Sequence, residues 1–470
     1  MASQEKKMST EIPHDDDDLK RGLDNRHVQL IAIGGAIGTG LFMGSGKTIS
    51  LAGPSIIFVY AIIGFMLFFV MRAMGELLLS NLKYKSFIDF SSDLLGPWAG
   101  YFTGWTYWLC WVVTGVADVI AIAGYAHFWW PELNPWIPVL LCVVSFLALN
   151  LVAVKLFGEM EFWFALIKIV AIVALIVTGL YMVLSGFQSP SGTVASLGHI
   201  WNDGNMFPHG AIGFFAGFQI AIFAFVGIEL VGTTAAETKN PMKTLPKAIN
   251  SIPIRIIFFY VLSLIVIMSV TPWSQVAADR SPFVEMFVLI GIPFAASLVN
   301  FVVLTSAASS ANSGVFSTSR MMYGLAEKKA APALFAKLSS LHVPANGLIF
   351  SCICIAIAYG ILSLIPSIMG AFTVVTTISA ILFIFVWSII LISYMVYRKQ
   401  RRDLHDQSIY KMPGGVVMCW VVLAFFAIVL YLLTLEKDTL EALTFTPLWF
   451  IMLGLFYFFV RRNRIVQETF

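Results

Sequence analysis

Charge is scarce in this chain. Of its 470 residues, 12% are Asp, Glu, Lys or Arg and 59% are hydrophobic, where soluble domains carry about 25% charged and roughly 45–50% apolar residues. Too little polar side chain remains to cover a water-facing surface of this size, and the mean hydropathy of +0.86 agrees. The net charge of +3 is too small to build the basic face that a nucleic acid would need. Aromatic residues, at 14%, are too many for a disordered chain. Cysteine is sparse as well. Cys110, Cys142, Cys352, Cys354 and Cys419 lie in or beside apolar runs, and Cys352-Ile353-Cys354 lacks the spacing of a zinc or redox pair. The seven histidines are scattered through tails and loops; His27 reads as interfacial. No nucleophile–base set or metal-ligand spacing appears. The expectation is a polytopic protein of the lipid bilayer, not an enzyme, with no catalytic residues, no metal, no cofactor and no nucleic-acid partner.

A helix needs about 20 mostly apolar residues to cross the hydrocarbon core. Twelve stretches qualify: 29–50, 55–79, 98–126, 136–154, 161–185, 210–235, 253–271, 283–313, 347–364, 369–396, 415–434 and 446–460. The eighth is the least distinct, because Thr305 to Ser319 is rich in Ser and Ala. The segments between spans alternate sharply in Lys and Arg. One set holds 25 of the 29 basic residues, and only Lys47, Arg280 and Lys437 fall on the other side, with Lys168 inside a span. The positive-inside rule then places both termini in the cytoplasm, which requires an even number of spans. The polar residues 1–27, with the acidic run Asp15 to Asp18, read as a cytoplasmic tail and not as a cleavable leader. Residues 463–470 read as a second tail around a transporter domain of 28–462. No linker is long enough for another domain, so functional groups must come from the spans or from short loops such as Gly186 to His209.

The first span contains Gly34-Gly35-Ala36-Ile37-Gly38-Thr39-Gly40-Leu41-Phe42. Each glycine inside a helix costs about 1 kcal/mol against Ala. Pairs such as Gly34 and Gly38 serve close helix packing, but packing does not ask for Gly38-Thr39-Gly40 in immediate succession. An unwound stretch does, and such backbone is tolerated at membrane depth only where it lines a cavity. Gly46-Lys47-Thr48 resembles the end of a phosphate loop, yet Leu41 stands where its first glycine belongs. The sixth span repeats the theme in Phe223-Ala224-Phe225-Val226-Gly227-Ile228-Glu229, with an ionisable group at a depth where one is costly and marks function by default. Glu229 otherwise reads as a packing partner of a neighbouring helix. Interruptions in spans one and six suggest two five-helix halves related by inverted repetition, 28–186 and 208–396, with two further helices at 415–460. The break itself can take a carboxylate on its N–H groups and a cation on its carbonyls. A zwitterion on one carbon fits both.

The Gly35–Phe42 stretch, the Phe223–Glu229 stretch and the loop Glu237-Thr238-Lys239-Asn240-Pro241 resemble the amino acid–polyamine–organocation superfamily. More narrowly they resemble its amino acid transporter family of bacterial and fungal permeases. The resemblance spans Leu23 to Arg462, and the blocks Ser50–Tyr60, Phe102–Trp111 and Val303–Arg320 point to members that take D-serine, D-alanine and glycine. It implies an all-α polytopic fold of twelve helices in the bacterial inner membrane, a 5+5 inverted repeat plus two, with helices one and six broken at the midplane. It implies substrate binding at Ala36, Ile37, Gly38, Thr39, Gly40, Phe223, Ala224, Phe225 and Gly227. Backbone N–H groups of Gly38, Thr39 and Gly40 would hold the carboxylate, and carbonyls near Ala36, Ile37, Phe223 and Ala224 the ammonium. Phe223 stands where relatives often carry a gating Trp. Lys168 reads either as a lysine snorkelling to the interface or, by resemblance, as an ammonium standing where sodium-coupled cousins bind sodium. The implied coupling ion is then a proton, carried through Glu229 and Lys168, with Asp118 as a weaker candidate near the outer end. Arg72 and Glu76, one turn apart, are expected to pair with each other.

The function expected is import of small neutral amino acids by proton symport with alternating access. An exchanger or facilitator of the same fold without proton coupling is the alternative. Oligomeric state, a monomer included, and chirality preference are left open by the residues.

Overall fold

The computed structural model describes residues 37–152, 154–202, 206–233, 240–291, 293–365 and 367–468. In a bilayer every backbone polar group must find its partner within the protein, which favours helices. Among the described residues no strand forms, and Gln188 and Val194 make one isolated bridge. In chain order the helices are α1 (Thr39–Phe42), α2 (Gly44–Ala52), α3 (Ile56–Ser80), α4 (Phe87–Leu95), α5 (Pro97–Ala126) and α6 (Trp136–Val152). There follow α7 (Val154–Leu184), α8 (Gly210–Ala221), α9 (Leu230–Thr233), α10 (Pro241–Asn250), α11 (Ser263–Val270), reached through a helical turn at Ile252–Arg255 and a wider π-helical stretch at Ile256–Leu262, and α12 (Pro282–Leu289). The chain finishes with α13 (Pro293–Glu327), α14 (Ala345–Leu362), α15 (Ile368–Gln400), α16 (Gly415–Leu432) and α17 (Lys437–Glu468).

Nine helical runs among the described residues are long and apolar enough to cross a membrane, and Trp136–Leu151 and Ala345–Gly360 are apolar but shorter. The expected spans 136–154 and 347–364 fall on those two. The expected span 29–50 begins outside the described residues. Its described part runs into α3 through one tight turn at Gly53–Ser55. The residues of 1–27, Ala36 and Glu237–Lys239 also lie outside the described residues. Two expected spans change their bounds. The run expected at 283–313 is two helices, α12 and α13, separated at Gly291 with φ 74°. The Ser- and Ala-rich stretch that made this span indistinct lies wholly inside α13, and Ser306, Ser309, Ser313, Ser317 and Ser319 are buried there. Small residues let α13 lie against α5, its most extensive partner. The last helix runs from Lys437 to Glu468, well past the apolar residues 446–460 and through most of the expected tail 463–470. The short helix α4, finally, has no apolar run long enough to mark it. It is set by a capping box, in which the Ser86 side chain and Asp89 exchange bonds with each other's backbone N–H.

Burial separates centre from rim. The most apolar window of α5 is 83% buried, against 17% for that of α17. Leu455, Phe458 and Phe459 on α17 are exposed, as acyl chains require. At the basic end of α3, Arg72 and Glu76 do not pair with each other. Arg72 donates to Asn250 Oδ1 and to the Lys411 carbonyl and lies over the Tyr410 ring. Glu76, fully buried, accepts from Met412 N at 2.7 Å and Tyr394 Oη at 3.0 Å and meets His405 Nδ1 at 2.5 Å. Spacing of i to i+4 puts two side chains on one face. Here the segment after α15 supplies better-placed partners to both.

Candidate functional site

Two stretches without regular α-helix meet. Gly38 is extended, with φ −127° and ψ −161°, and α1 starts only at Thr39. The N–H groups of Thr39 and Gly40 open that helix and so have no intrahelical acceptor. On the other side, α8 passes at Ile222–Phe225 into a tighter 3-10 turn, Val226 swings out to ψ 137°, and helix resumes at Leu230. Gly227 between them takes φ 96°, a conformation that side chains with a Cβ avoid.

The two segments touch at Gly40. A Cβ there would lie 2.5 Å from Ala224 Cα, 2.8 Å from Ala224 N and 3.0 Å from the Phe223 ring. Glycine is therefore required by backbone proximity. A Cβ on Gly38 would meet only the Ser310 side chain, its Oγ at 3.3 Å and its Cβ at 3.6 Å. The carbonyls expected to receive an ammonium already hold one donor each. Ile37 O accepts from Ser306 Oγ at 3.1 Å, Ala224 O from Tyr260 Oη at 2.9 Å, and Phe223 O from Val226 N at 3.1 Å. Each retains a second lone pair. Phe223 meets Phe372 edge-on at 6.1 Å. Phe225 instead stacks on Tyr260 at 5.0 Å and leans on Tyr60. Ala36 is outside the described residues.

Three carboxylates and one ammonium are fully buried near these segments: Asp118, Glu161, Glu229 and Lys168. Glu229 accepts from Tyr107 Oη at 3.1 Å and from Gly227 N at 3.2 Å, so its charge bears on the turn that interrupts the sixth segment. Asp118 accepts from Thr39 Oγ1 at 2.7 Å, bearing on the first. Lys168 does not snorkel. It lies within electrostatic reach of Asp118 and Glu161, and Glu161 accepts from Ser309 Oγ at 2.8 Å and Asn312 Nδ2 at 3.1 Å. Lys168 and its two carboxylates thus connect α7 to the first segment through Thr39 and to α13 through Ser309 and Asn312. Glu161, Tyr107, Tyr260, Ser306 and Asn312 carry no motif and were not read from the sequence. One signal was present: Glu161 and Lys168 are seven apart, two turns on one face of a helix.

A cavity of about 750 Å³ opens on the side that the basic residues avoid and reaches Met43, Tyr125 and Asn300. On the opposite side a smaller cavity of about 170 Å³ lies between Ser86, Thr233 and Arg320. There Lys328 pairs with Asp89, and Arg401 with Asp93 at 3.3 Å.

An all-helical bundle with buried charges around two facing interruptions is the form of a membrane permease. Residues 27–469 match the amino acid permease family, and the chain belongs to it. It is 72% identical over 449 residues to the D-serine/D-alanine/glycine transporter of Escherichia coli (strain K12), covering 96% of each chain. The DL-alanine permease SerP2 of Lactococcus lactis subsp. cremoris is 45% identical, over 94% of this chain and 95% of its own. The serine permease SerP1 of the same organism is 42% identical, over 94% and 98%.

Proposed function

We propose that the chain imports small neutral amino acids, D-serine, D-alanine and glycine among them, by proton symport with alternating access. The fold in this reading has twelve spans, a 5+5 inverted repeat plus two, with spans one and six broken at the midplane, in a bacterial inner membrane with both termini cytoplasmic. The observation that carries the reading is the contact of Gly40 with Ala224, which narrows the gap between the interrupted segments. A ligand lodged beside that contact meets N–H groups on one segment and carbonyls on both. In this reading its side chain faces Phe223, whose bulk favours hydrogen, methyl or hydroxymethyl.

In this reading the N–H groups of Gly38, Thr39 and Gly40 take the substrate carboxylate. The spare lone pairs of Ile37, Phe223 and Ala224, with Ala36, take the ammonium. Gly227 supplies the turn, and Phe225 backs it. Glu229 couples the proton to that turn, since Gly227 N donates to it. Lys168 supplies a fixed positive charge where a sodium ion would otherwise be needed. The larger cavity on the outer side supports a substrate entry route from outside. The names of the relatives support the substrate class.

The test is competition on purified protein in liposomes. Unlabelled glycine, D-serine and D-alanine should each suppress uptake of labelled D-alanine, while tryptophan and lysine should not. Equal suppression by large and small amino acids would exclude the proposed pocket. Running D- and L-alanine side by side fixes the chirality preference.

A further inference from the structure

The buried charges beside the first segment do not balance. Asp118 and Glu161 share one ammonium, Lys168, and all three are fully buried. With every group ionised the cluster carries one uncompensated negative charge, which is costly away from water. One added proton makes it neutral. The hydrogen bonds are unequal. Both oxygens of Glu161 are occupied as acceptors, Oε2 by Ser309 and Oε1 by Asn312. Asn312 is itself oriented by Asn150 Nδ2 at 2.7 Å on its Oδ1. Two donors pointed at a carboxylate favour its ionised form. Asp118 accepts from Thr39 on Oδ1 with the Ser310 hydroxyl beside it, and its buried Oδ2 makes no hydrogen bond among the described residues.

We propose that Glu161 is a positioning residue, the permanent counter-charge of Lys168, and that this leaves Asp118 Oδ2 as the atom that takes up and releases the transported proton. The assignment rests on the symport reading. It gives proton loading at the first segment to Asp118 and leaves Glu229 to gate the sixth. The proton comes from water in the outer cavity, whose wall includes Tyr125. The Tyr125 hydroxyl is buried, has no hydrogen-bond partner among the described residues, and is electrostatically coupled to Asp118. An O–H bond forms at Asp118 Oδ2 on the acidic side, and that proton leaves to water on the cytoplasmic side. Asp118 is faced by Lys168 from α7 and Tyr125 on its own helix, while α1 and α13 present the hydroxyls of Thr39 and Ser310. Glu161 is faced by Lys168 and by the side chains of Ser309, Asn312 and Ser313. Because Asp118 bonds Thr39, its proton is linked to the backbone proposed to hold the substrate carboxylate.

The experiment measures the Kd of D-alanine for the purified full-length protein from acidic to neutral pH. In the parent, affinity should rise as pH falls, by up to about tenfold per pH unit for one linked proton. In Glu161→Gln, Asp118 alone neutralises Lys168 without a proton, so the Kd should become independent of pH. Glu161→Asp should restore the dependence. A folded Glu161→Gln protein with the parent's slope overturns the inference. If Glu161→Gln does not fold, Ser309→Ala decides. Removing one donor from Glu161 should raise the cluster's hold on the proton and move the midpoint to higher pH, and an unmoved midpoint overturns the inference. A parent whose Kd ignores pH instead contradicts the symport reading beneath it.

Discussion

Gly40 rests on the backbone of Ala224, so closely that a Cβ would stand 2.5 Å from the Ala224 Cα. Two segments far apart in sequence are thereby held at one point, with non-helical backbone at Gly38 on one and at Val226–Gly227 on the other.

A methyl group at Gly40 must push the segments apart, because backbone cannot yield as a side chain end can. Gly40→Ala should lower Tm, abolish D-alanine uptake and remove the stabilisation that bound D-alanine gives. Gly38→Ala meets only the Ser310 side chain, its Oγ at 3.3 Å and its Cβ at 3.6 Å, and should be the milder change. Thermal melts with and without D-alanine rank the two, and the opposite order would refute the contact argument.

Phe223 sets the size limit if its ring closes the gap against Phe372. Phe223→Ala should weaken binding of glycine and D-alanine and admit larger neutral amino acids. Emptying a buried Phe site also costs about 3–5 kcal/mol of stability, so binding must be read on protein shown to be folded. Larger amino acids that already compete in the parent would contradict the size argument.

Lys168 is within electrostatic reach of Asp118 and Glu161, and removing it leaves two buried carboxylates without that cation. Lys168→Ala should destabilise the protein by roughly 3–5 kcal/mol and stop transport. Added sodium should not stimulate the parent. Sodium-dependent uptake by the parent would remove the role given to Lys168.

Glu76 has three partners in Met412, Tyr394 and His405, none of them among the residues proposed to bind substrate. Glu76→Gln should lower Tm with little change in the KM for D-alanine. A change confined to KM would place Glu76 in the transport path instead.

The non-helical residues Gly38 and Val226–Gly227 fall where glycine, an expensive choice in a helix, had marked the chain. Gly38-Thr39-Gly40 and Val226-Gly227-Ile228-Glu229 drew attention to both stretches from the residues alone. The partners were less legible. Glu229 is visible as a carboxylate in an apolar run, but Tyr107 and Tyr260 look like any aromatic residues of a span. Asp118 was ranked low because a sequence does not tell depth along a helix, and the bond from Thr39 alters its standing. Glu161 sits near Lys155 and Glu159, where charges read as the edge of a span. Only its spacing of two turns from Lys168 marks it. Arg72 and Glu76 show the reverse error, in which a local pairing rule was overruled by partners from a distant loop.

Glu229 and the proton are tested together in proteoliposomes that contain no internal substrate, with an acidic exterior imposed across the membrane. The parent should accumulate D-alanine above its external concentration, transiently and without sodium, and should fail to do so once the pH gradient is collapsed. Glu229→Gln, fixed in the neutral form, should lose this accumulation while still exchanging D-alanine across the membrane. Accumulation by Glu229→Gln equal to the parent's would remove Glu229 from the coupling. A parent that only equilibrates, or moves D-alanine solely in exchange for internal substrate, would contradict proton symport altogether.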